Sequence, residues 1–342
     1  MTALHTIAFL NPGHFHAALT LKTANARVDP NIHLYASPGP ERDSFVALID
    51  AFNSRDDSPT VWTLHEHQCA DPLTELVNDG LADIVILAGH NASKLASIAA
   101  LHDAGIAVLA DKPWLTAPSA LADLNKVASG LPLAQDIMTE RHDVLARLRR
   151  RITADRQMFG EFVSDDLAGA AIEIGSKHHL FKRVNGAPLI RPSWYYDVNV
   201  QGDGLVDIQS HMTDQMQWLV GEEKDYALDV DVTDLKANRW GTPVPMDLFS
   251  DSTGLNEFPN SVEARVTDGV LDLQCNSEVS YTLRGVSVKQ AAQWDQREPA
   301  GSGDIHAAHF RGTRAELILD HGAQTGVVPR LHVRPREGAT EA

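Results

Sequence analysis

"ADIVILAGHNASKLASIAALHDAGIAVLADKP", residues 82–113, decides the fold. Within it, "DIVILA" (83–88) is a continuous apolar run, the pattern of a strand buried on both faces. A helical pattern, "ASKLASIAALHDAG", follows and stops on Gly105, and a second strand-like run, "IAVLA" (106–110), begins directly after it. Strand, helix and strand with connectors this short make a parallel crossover unit.

The same alternation continues on either side. "HTIAFL" (5–10) reads as a strand, Asn11-Pro12-Gly13 as a turn and "FHAALTLKTAN" (15–25) as a helix. "NIHLYA" (31–36) is the next strand. In "ERDSFVALIDAFN" (41–53), Phe45, Leu48, Ile49 and Phe52 fall at i, i+3, i+4 and i+7, a helix signature. Beyond the opening stretch, helix "APSALADLNKVAS" (117–129) leads to strand "LPLAQDI" (131–137). Residues 1–138 are therefore expected to form an α/β domain of the Rossmann type, a doubly wound parallel sheet. Ligands of such sheets lie beyond the carboxyl ends of the strands, near the switch in strand order. Three points of the sequence sit at such ends: Asn11–His14, Ala88–Asn91 and Asp111–Pro113.

Residues 139–342 read differently. A basic amphipathic helix, "MTERHDVLARLRRRI" (138–152), opens the region, and Arg147, Arg149, Arg150 and Arg151 are expected on a solvated face. Strand-like stretches follow in "GAAIEIG" (169–175), "YALDVDVTDL" (226–235), "SVEARVTDGVLDLQCNSEVSYTL" (261–283) and "AELILD" (315–320). They predict a second, α+β domain with an open and largely antiparallel sheet. "SKHHLFKRVNGAPLIRPSWYYDV" (176–198) is expected between the domains, dense in polar and aromatic groups suited to hydroxyls and C–H faces.

Bulk properties narrow the function. A chain of 342 residues with 43% hydrophobic content suits two globular domains, and no apolar run approaches a membrane span. "MTALHTIAFL" has neither a basic start nor a cleavage site, so a cytoplasmic location is expected. Two cysteines exclude a disulfide framework and favour a reducing compartment. A net charge of −17 argues against nucleic acid, which is held by clustered Lys and Arg. The sixteen histidines are scattered, and most are expected to be surface or structural.

Two features carry chemistry. "NPGHFHAA" (11–18) keeps only Gly13 of a dinucleotide-binding Gly-x-Gly-x-x-Gly, and an ordinary βα turn looks the same; Ala17 and Ala18 are small enough for close helix–sheet packing. The second strand ends at Ala36-Ser37 with no immediate acid for a ribose hydroxyl; Glu41 follows, and Arg42 suits a 2′-phosphate. NAD is taken as the cofactor, with NADP left open. In "QGDGLVDIQSHMTDQMQW" (201–218), Asp207, His211 and Asp214 are spaced by four and three, one face of a helix. That spacing also suits a divalent metal, but no second ligand cluster accompanies it, and no metal is expected.

Taken together, Asp111-Lys112-Pro113 after a parallel strand and Gly202, Gly204, Asp207 and His211 some 95 residues later resemble the Gfo/Idh/MocA family of sugar and polyol oxidoreductases. "LNPGHFHAAL", "FNSR", "LADKPW", "DIMTERHDVL" and the 176–198 and 201–218 stretches resemble a subgroup with a distinctive C-terminal domain. That resemblance implies NAD(P)-dependent oxidation of a secondary ring hydroxyl, at C3 of a sugar or glycoside. It also implies a homo-oligomer (dimer or tetramer) and no nucleic-acid or membrane partner. It makes His211 the base, Lys112 the cation on the reacting hydroxyl and Asp207 their companion. Cofactor contacts are expected from Gly13, His14, Phe15, Ser37, Ala88, Gly89, Asn91, Asp111 and Lys112. Substrate contacts are expected from Lys177, His178, Trp194, Tyr196, Asp207 and His211, with Asp304, His306 and His309 covering the pocket. A redox-neutral glycosidase or lyase, oxidising C3 transiently and then re-reducing it, uses the same parts. A non-catalytic nucleotide-binding scaffold needs none of them.

Overall fold

A computed structural model describes residues 4–128, 130, 132–163, 169–184, 187–221, 224–300 and 302–337. Ser129 and Leu131, at the ends of an expected helix and strand, lie outside the described residues. The chain divides into two compact units, Met1–Ile137 with Asn199–Gly202, and Met138–Val198 with Asp203–Ala342.

The first unit runs β1 (Ile7–Leu10), α1 (His16–Leu19), β2 (Asn31–Ala36), α2 (Pro40–Ser54), β3 (Thr63–Gln68), α3 (Pro72–Asp79), β4 (Ile84–Leu87), α4 (Lys94–Asp103), β5 (Ala107–Ala110), α5 (Leu121–Val127) and β6 (Ala134–Asp136). All six strands are parallel, in the order β3-β2-β1-β4-β5-β6, so growth reverses between β1 and β4. Apolar runs become central strands because both faces are covered. Phe9, Ile32 and Leu34 pack under Phe45 and Ile49 of α2, while Leu10, Val85, Leu87 and Val108 meet Leu95, Ile98 and Leu101 of α4.

Two local expectations change. The helix expected over 15–25 stops after Leu19, where the Thr20 hydroxyl donates to Ala17 O (2.7 Å) and the next amides bond three residues back. A hydroxyl competing for the backbone in this way disfavours continued helix. The sequence reading also passed over β3 and α3. "TLHEHQ" is a polar edge strand without a buried apolar row, whereas α3 carries plain local signals: Asp71 accepts from Thr74 N–H (3.2 Å) and Gly80 ends it at φ +60°.

The second unit contains α6 (Val144–Ala154), β7 (Ile172–Phe181) and a small hairpin of β8 (Arg183–Val184) and β9 (Ala187–Pro188); α7 (Val198–Gln201) follows, and all of it after Val198 belongs to the first unit. Then come α8 (Ile208–Val220), α9 (Leu228–Asp231), β10 (Val232–Pro245), α10 (Met246–Thr253), β11 (Val266–Thr267), β12 (Val270–Leu283), β13 (Val286–Arg297), β14 (Ile305–Arg311), β15 (Ala315–His321) and β16 (Arg330–Pro335). Their sheet has the order β10-β12-β13-β7-β14-β15-β16, with β11 on β12, and only the β13–β7 pair is parallel. Met212 and Met216 of α8 pack with Ile172, Ile174, Phe310 and Leu317 on one face of it.

Three readings are corrected here. Residues 176–181 are no linker: they are the second half of β7, inside the sheet. The strand expected over 226–235 starts with a helical turn, because the Asp231 carboxylate accepts from Ala227 N–H (2.7 Å) and from Arg284 Nε (2.9 Å). Of the basic run, Arg149 is not solvated. It is 5% exposed, donates to Gln215 Oε1 (2.7 Å) and lies over the Phe310 ring.

Candidate functional site

At the switch point, the turns after β1, β4 and β5 are bonded to one another. Asn11 takes φ +40° and its N–H reaches Tyr35 O (2.9 Å). The N–H groups of Gly13 and His14 both donate to the Ala88 carbonyl, at 3.0 and 2.9 Å. Gly89 permits this approach, since a Cβ there would collide with the Asn11 carbonyl. The amides that a glycine-rich turn offers to a pyrophosphate are thus already occupied. Phe15 beside them is half-exposed, its ring 4.6 Å from that of His16.

Asp111 is the centre of this corner and is 4% exposed. Its Oδ2 lies 3.0 Å from His16 Nδ1 and 3.3 Å from His14 Nδ1, and its Oδ1 accepts the Lys112 N–H at 3.0 Å. Burial alone would raise its carboxyl, but hydrogen bonds and charge from His14 and His16 outweigh burial and hold it well below the usual carboxylate range. Beneath it, the buried Lys94 ammonium donates to Asp111 O (2.8 Å) and to Asn91 Oδ1. Burial lowers Lys94 to about 8, against the attraction of Asp111. Burial also lowers His14, which the bond to Asp111 opposes and the charges of His16 and Lys112 reinforce. Lys112 leaves this braced corner half-buried, through a cis peptide bond to Pro113.

Sequence reasoning missed His16 and Lys94, although the "HFH" spacing of His14 and His16 was available. It placed Asn91 on the cofactor, and the structure uses that side chain otherwise. Asn91 is 4% exposed, donates from Nδ2 to Gln201 O (2.7 Å), and its N–H reaches Val200 O (3.1 Å). It clamps residues 199–202 to the parallel sheet. Ser37 stays exposed at the end of β2, where its N–H meets Asn11 Oδ1 (3.3 Å) and its hydroxyl meets Cys69 O (3.4 Å). Arg42, suited to a 2′-phosphate, is engaged by Glu66 and by Asp43 Oδ1 (2.6 Å).

Gly202, which ends the 199–202 segment of the first unit, takes φ +97°. In the second unit a Cβ on Gly204 would stand 2.5 Å from Asn276 O, so glycine is needed there to bring the chain onto β12 before α8 begins. Asp207 is buried and precedes α8, and its side chain does not cap the helix. His211 follows one turn in and is half-buried. Asp214 separates from them: it receives Arg141 Nε (2.8 Å) and Nη2 as a fork, which ties residues 139–142 to α8. The Asp-His-Asp row is thus two functional candidates and one structural ion pair.

A polar group gathers where β7, β13 and β14 adjoin. His178 lies 3.0 Å from Ser176 Oγ through Nε2 and 3.1 Å from Asp304 Oδ2 through Nδ1, and Lys182 Nζ reaches the same oxygen at 2.5 Å. His178 also rests 4.9 Å from the Trp294 ring. Among the described residues, Asp304 Oδ1, His179 Nδ1 and Trp294 Nε1 are buried without a hydrogen-bond partner. Buried polar atoms are nearly always satisfied, so this group has unused hydrogen-bonding capacity. His306 adjoins it, 5.6 Å from the His178 ring, whereas His309 points to Glu316 Oε2 (3.1 Å) on the neighbouring strand.

Other expected sugar contacts have structural uses. Tyr196 is fully buried, its hydroxyl 2.5 Å from Ser252 Oγ, so it belongs to the core and not to a substrate surface. Arg191 donates to the carbonyls of Leu180 (2.7 Å) and His179 (3.0 Å) and lies over the Tyr195 ring. Lys177 pairs with Asp295 (3.1 Å) on an exposed part of the sheet. Trp194 remains half-buried in a short helical turn, residues 193–196.

Residues 148–342 match the family described as "Putative oxidoreductase C terminal domain". Among solved structures, a "putative oxidoreductase" from Parabacteroides merdae ATCC 43184 is 32% identical over 98% of this chain and 77% of that one, with a TM-score of 0.93. GenD2 from gentamicin A biosynthesis, solved in complex with NAD, is 14% identical over 94% of this chain and 73% of its own, with a TM-score of 0.62. Levoglucosan dehydrogenase in its apo form is 14% identical over 98% and 80%, with a TM-score of 0.58. At such identities the last two share the fold. No curated protein sequence matches the chain.

Proposed function

The chain belongs to the family of oxidoreductases that carry this C-terminal domain, and from that premise we propose that it oxidises a secondary hydroxyl, at C3 of a sugar or glycoside ring, with a nicotinamide dinucleotide. The observation that carries the reading is the Asp111–Lys112–Pro113 corner at the end of β5. The Asp111 carboxylate, held by His16 with His14 at 3.3 Å, and the buried Lys94, bonded to the Asp111 carbonyl, together fix the backbone from which Lys112 leaves.

The first unit fits a dinucleotide in its topology. The crevice at the β1/β4 switch is where such ligands lie, with His14, Phe15, Ser37 and Lys112 around it. The amides of Gly13 and His14 are occupied by the Ala88 carbonyl, and the engaged Arg42 favours NAD over NADP. Bound there, the nicotinamide supplies the oxidant by accepting hydride from the carbinol carbon.

The remaining work falls to protein groups. Lys112 hydrogen-bonds the reacting hydroxyl and stabilises the developing alkoxide. His211 accepts the hydroxyl proton. Asp207 stabilises the imidazolium. The half-buried Trp194 suits a polyhydroxylated ring, its indole face lying against C–H groups.

The test is titration of the purified protein with NAD and NADP, followed by a glycoside panel read by reduced-nicotinamide absorbance and by aglycone release. Absorbance gain supports the dehydrogenase. Aglycone release without absorbance gain replaces it with the redox-neutral route, and failure to bind either nucleotide overturns both.

A further inference from the structure

Three of the histidines, His33, His65 and His67, gather on one face of the parallel sheet. Parallel pairing sets His33 of β2 opposite His65 of β3 and Tyr35 opposite His67, and alternation along the strands puts all four on one face. The Tyr35 and His67 rings stack at 4.1 Å and 9°. Over this face lies α3, whose Glu75 and Asp79 are one turn apart and turned toward the strands. One ligand atom from each of His67, Glu75 and Asp79 lies within 4.8 Å of the other two.

We propose that this triad, at the β3 edge of the parallel sheet, binds a divalent transition-metal ion of the zinc class. One imidazole nitrogen and two carboxylates are the donors such ions take, and the part-exposed mouth, with Asp79 at 36%, leaves room for water as the fourth ligand. His67 Nδ1 is 3.7 Å from Asp79 Oδ2, too far for a hydrogen bond. Tetrahedral zinc with bonds of about 2.0–2.1 Å separates its ligands by about 3.3 Å, so His67 and Asp79 close by a few tenths of an ångström, and the pairs with Glu75, within 4.8 Å, by at most about 1.5 Å.

The surrounding groups are those that orient metal ligands. His67 Nε2 is 3.1 Å from His33 Nδ1, and with the metal on Nδ1 the Nε2–H donates to His33. The fully buried Tyr35 hydroxyl donates to Asp79 Oδ2 at 2.9 Å, and the Cys69 thiol donates to the His67 carbonyl at 3.6 Å. Bound there, the ion pins the polar edge strand β3 to α3, where no apolar row holds it. This inference is independent of the redox reading.

The experiment is calorimetric titration of untagged, metal-stripped protein with Zn2+, paired with thermal unfolding and with Co2+ as a spectroscopic probe. Wild type should take up one ion at this site and unfold at higher temperature with it. His67→Ala and Glu75→Gln should each weaken uptake at least tenfold and abolish the thermal shift, their circular dichroism unchanged. Glu75→Gln keeps the shape of the side chain, so its loss of binding reports ligation and not misfolding. Unchanged uptake in both variants, no uptake by wild type, or uptake lost only in His16→Ala, which places the ion at Asp111, would each overturn the proposal.

Discussion

His306 offers a quantitative test of the polar group on the second unit's sheet. Its ring stacks on His321 of β15 at 5.4 Å and 6° and adjoins His178 of β7; Asp304 and Arg149 of α6 are the other charges acting on it. Burial first, then the charges of His178 and His321, pull its imidazole down to about 4. In the unfolded chain an imidazole titrates near 6.5. Between these values the unfolded state holds a proton that the folded state lacks, so acidification favours unfolding. The contribution is intact above about pH 7, falls by about 2 kcal/mol on reaching pH 5 and by about 3 kcal/mol on reaching pH 4. Asp304 does not interfere. Burial would raise its carboxyl, but His178 and Lys182 outweigh that and hold it far below the usual range, so its loss comes at lower pH. The assay is urea unfolding of wild type and His306→Phe, whose ring keeps the stack, at about pH 7 and pH 5. Stability of the variant should fall by about 2 kcal/mol less than that of wild type over this interval. Parallel pH profiles would refute the buried, neutral histidine.

Two further outcomes follow from packing. Gly89→Ala forces a Cβ into the Asn11 carbonyl and should cost about 1–3 kcal/mol of stability by urea unfolding, with weaker nucleotide binding because the β1 turn is displaced. Asp214→Asn breaks the fork to the part-exposed Arg141 and should cost about 1–2 kcal/mol while kcat stays within about twofold. A tenfold loss of kcat in that variant would return Asp214 to the reaction.

The parallel sheet was legible because its central strands are buried on both faces and so write long apolar runs, as in Ile84–Leu87 and Ala107–Ala110. The edge strand β3 was not, since half-solvated backbone pairing leaves no apolar row in "TLHEHQ". The same limit applies to side chains. Lys112 and His211 could be singled out by the local pattern around them. Tyr196 and Asn91 looked equally suited to ligands, yet their polar atoms are satisfied inside the protein by Ser252 and by Gln201. A sequence displays the polar group but not its partner when that partner is 56 or 110 residues away. For the same reason His33, His65 and His67 looked scattered until strand register aligned them.

The central claim is that Lys112 and His211 drive nicotinamide-dependent oxidation of a sugar hydroxyl. The direct measurement is the rate of reduced-nicotinamide formation by wild type, Lys112→Ala and His211→Ala at saturating NAD and glycoside. Each variant should fold as wild type does, yet lose roughly 10²-fold or more in turnover with NAD saturating. Near-normal turnover in both would contradict the account.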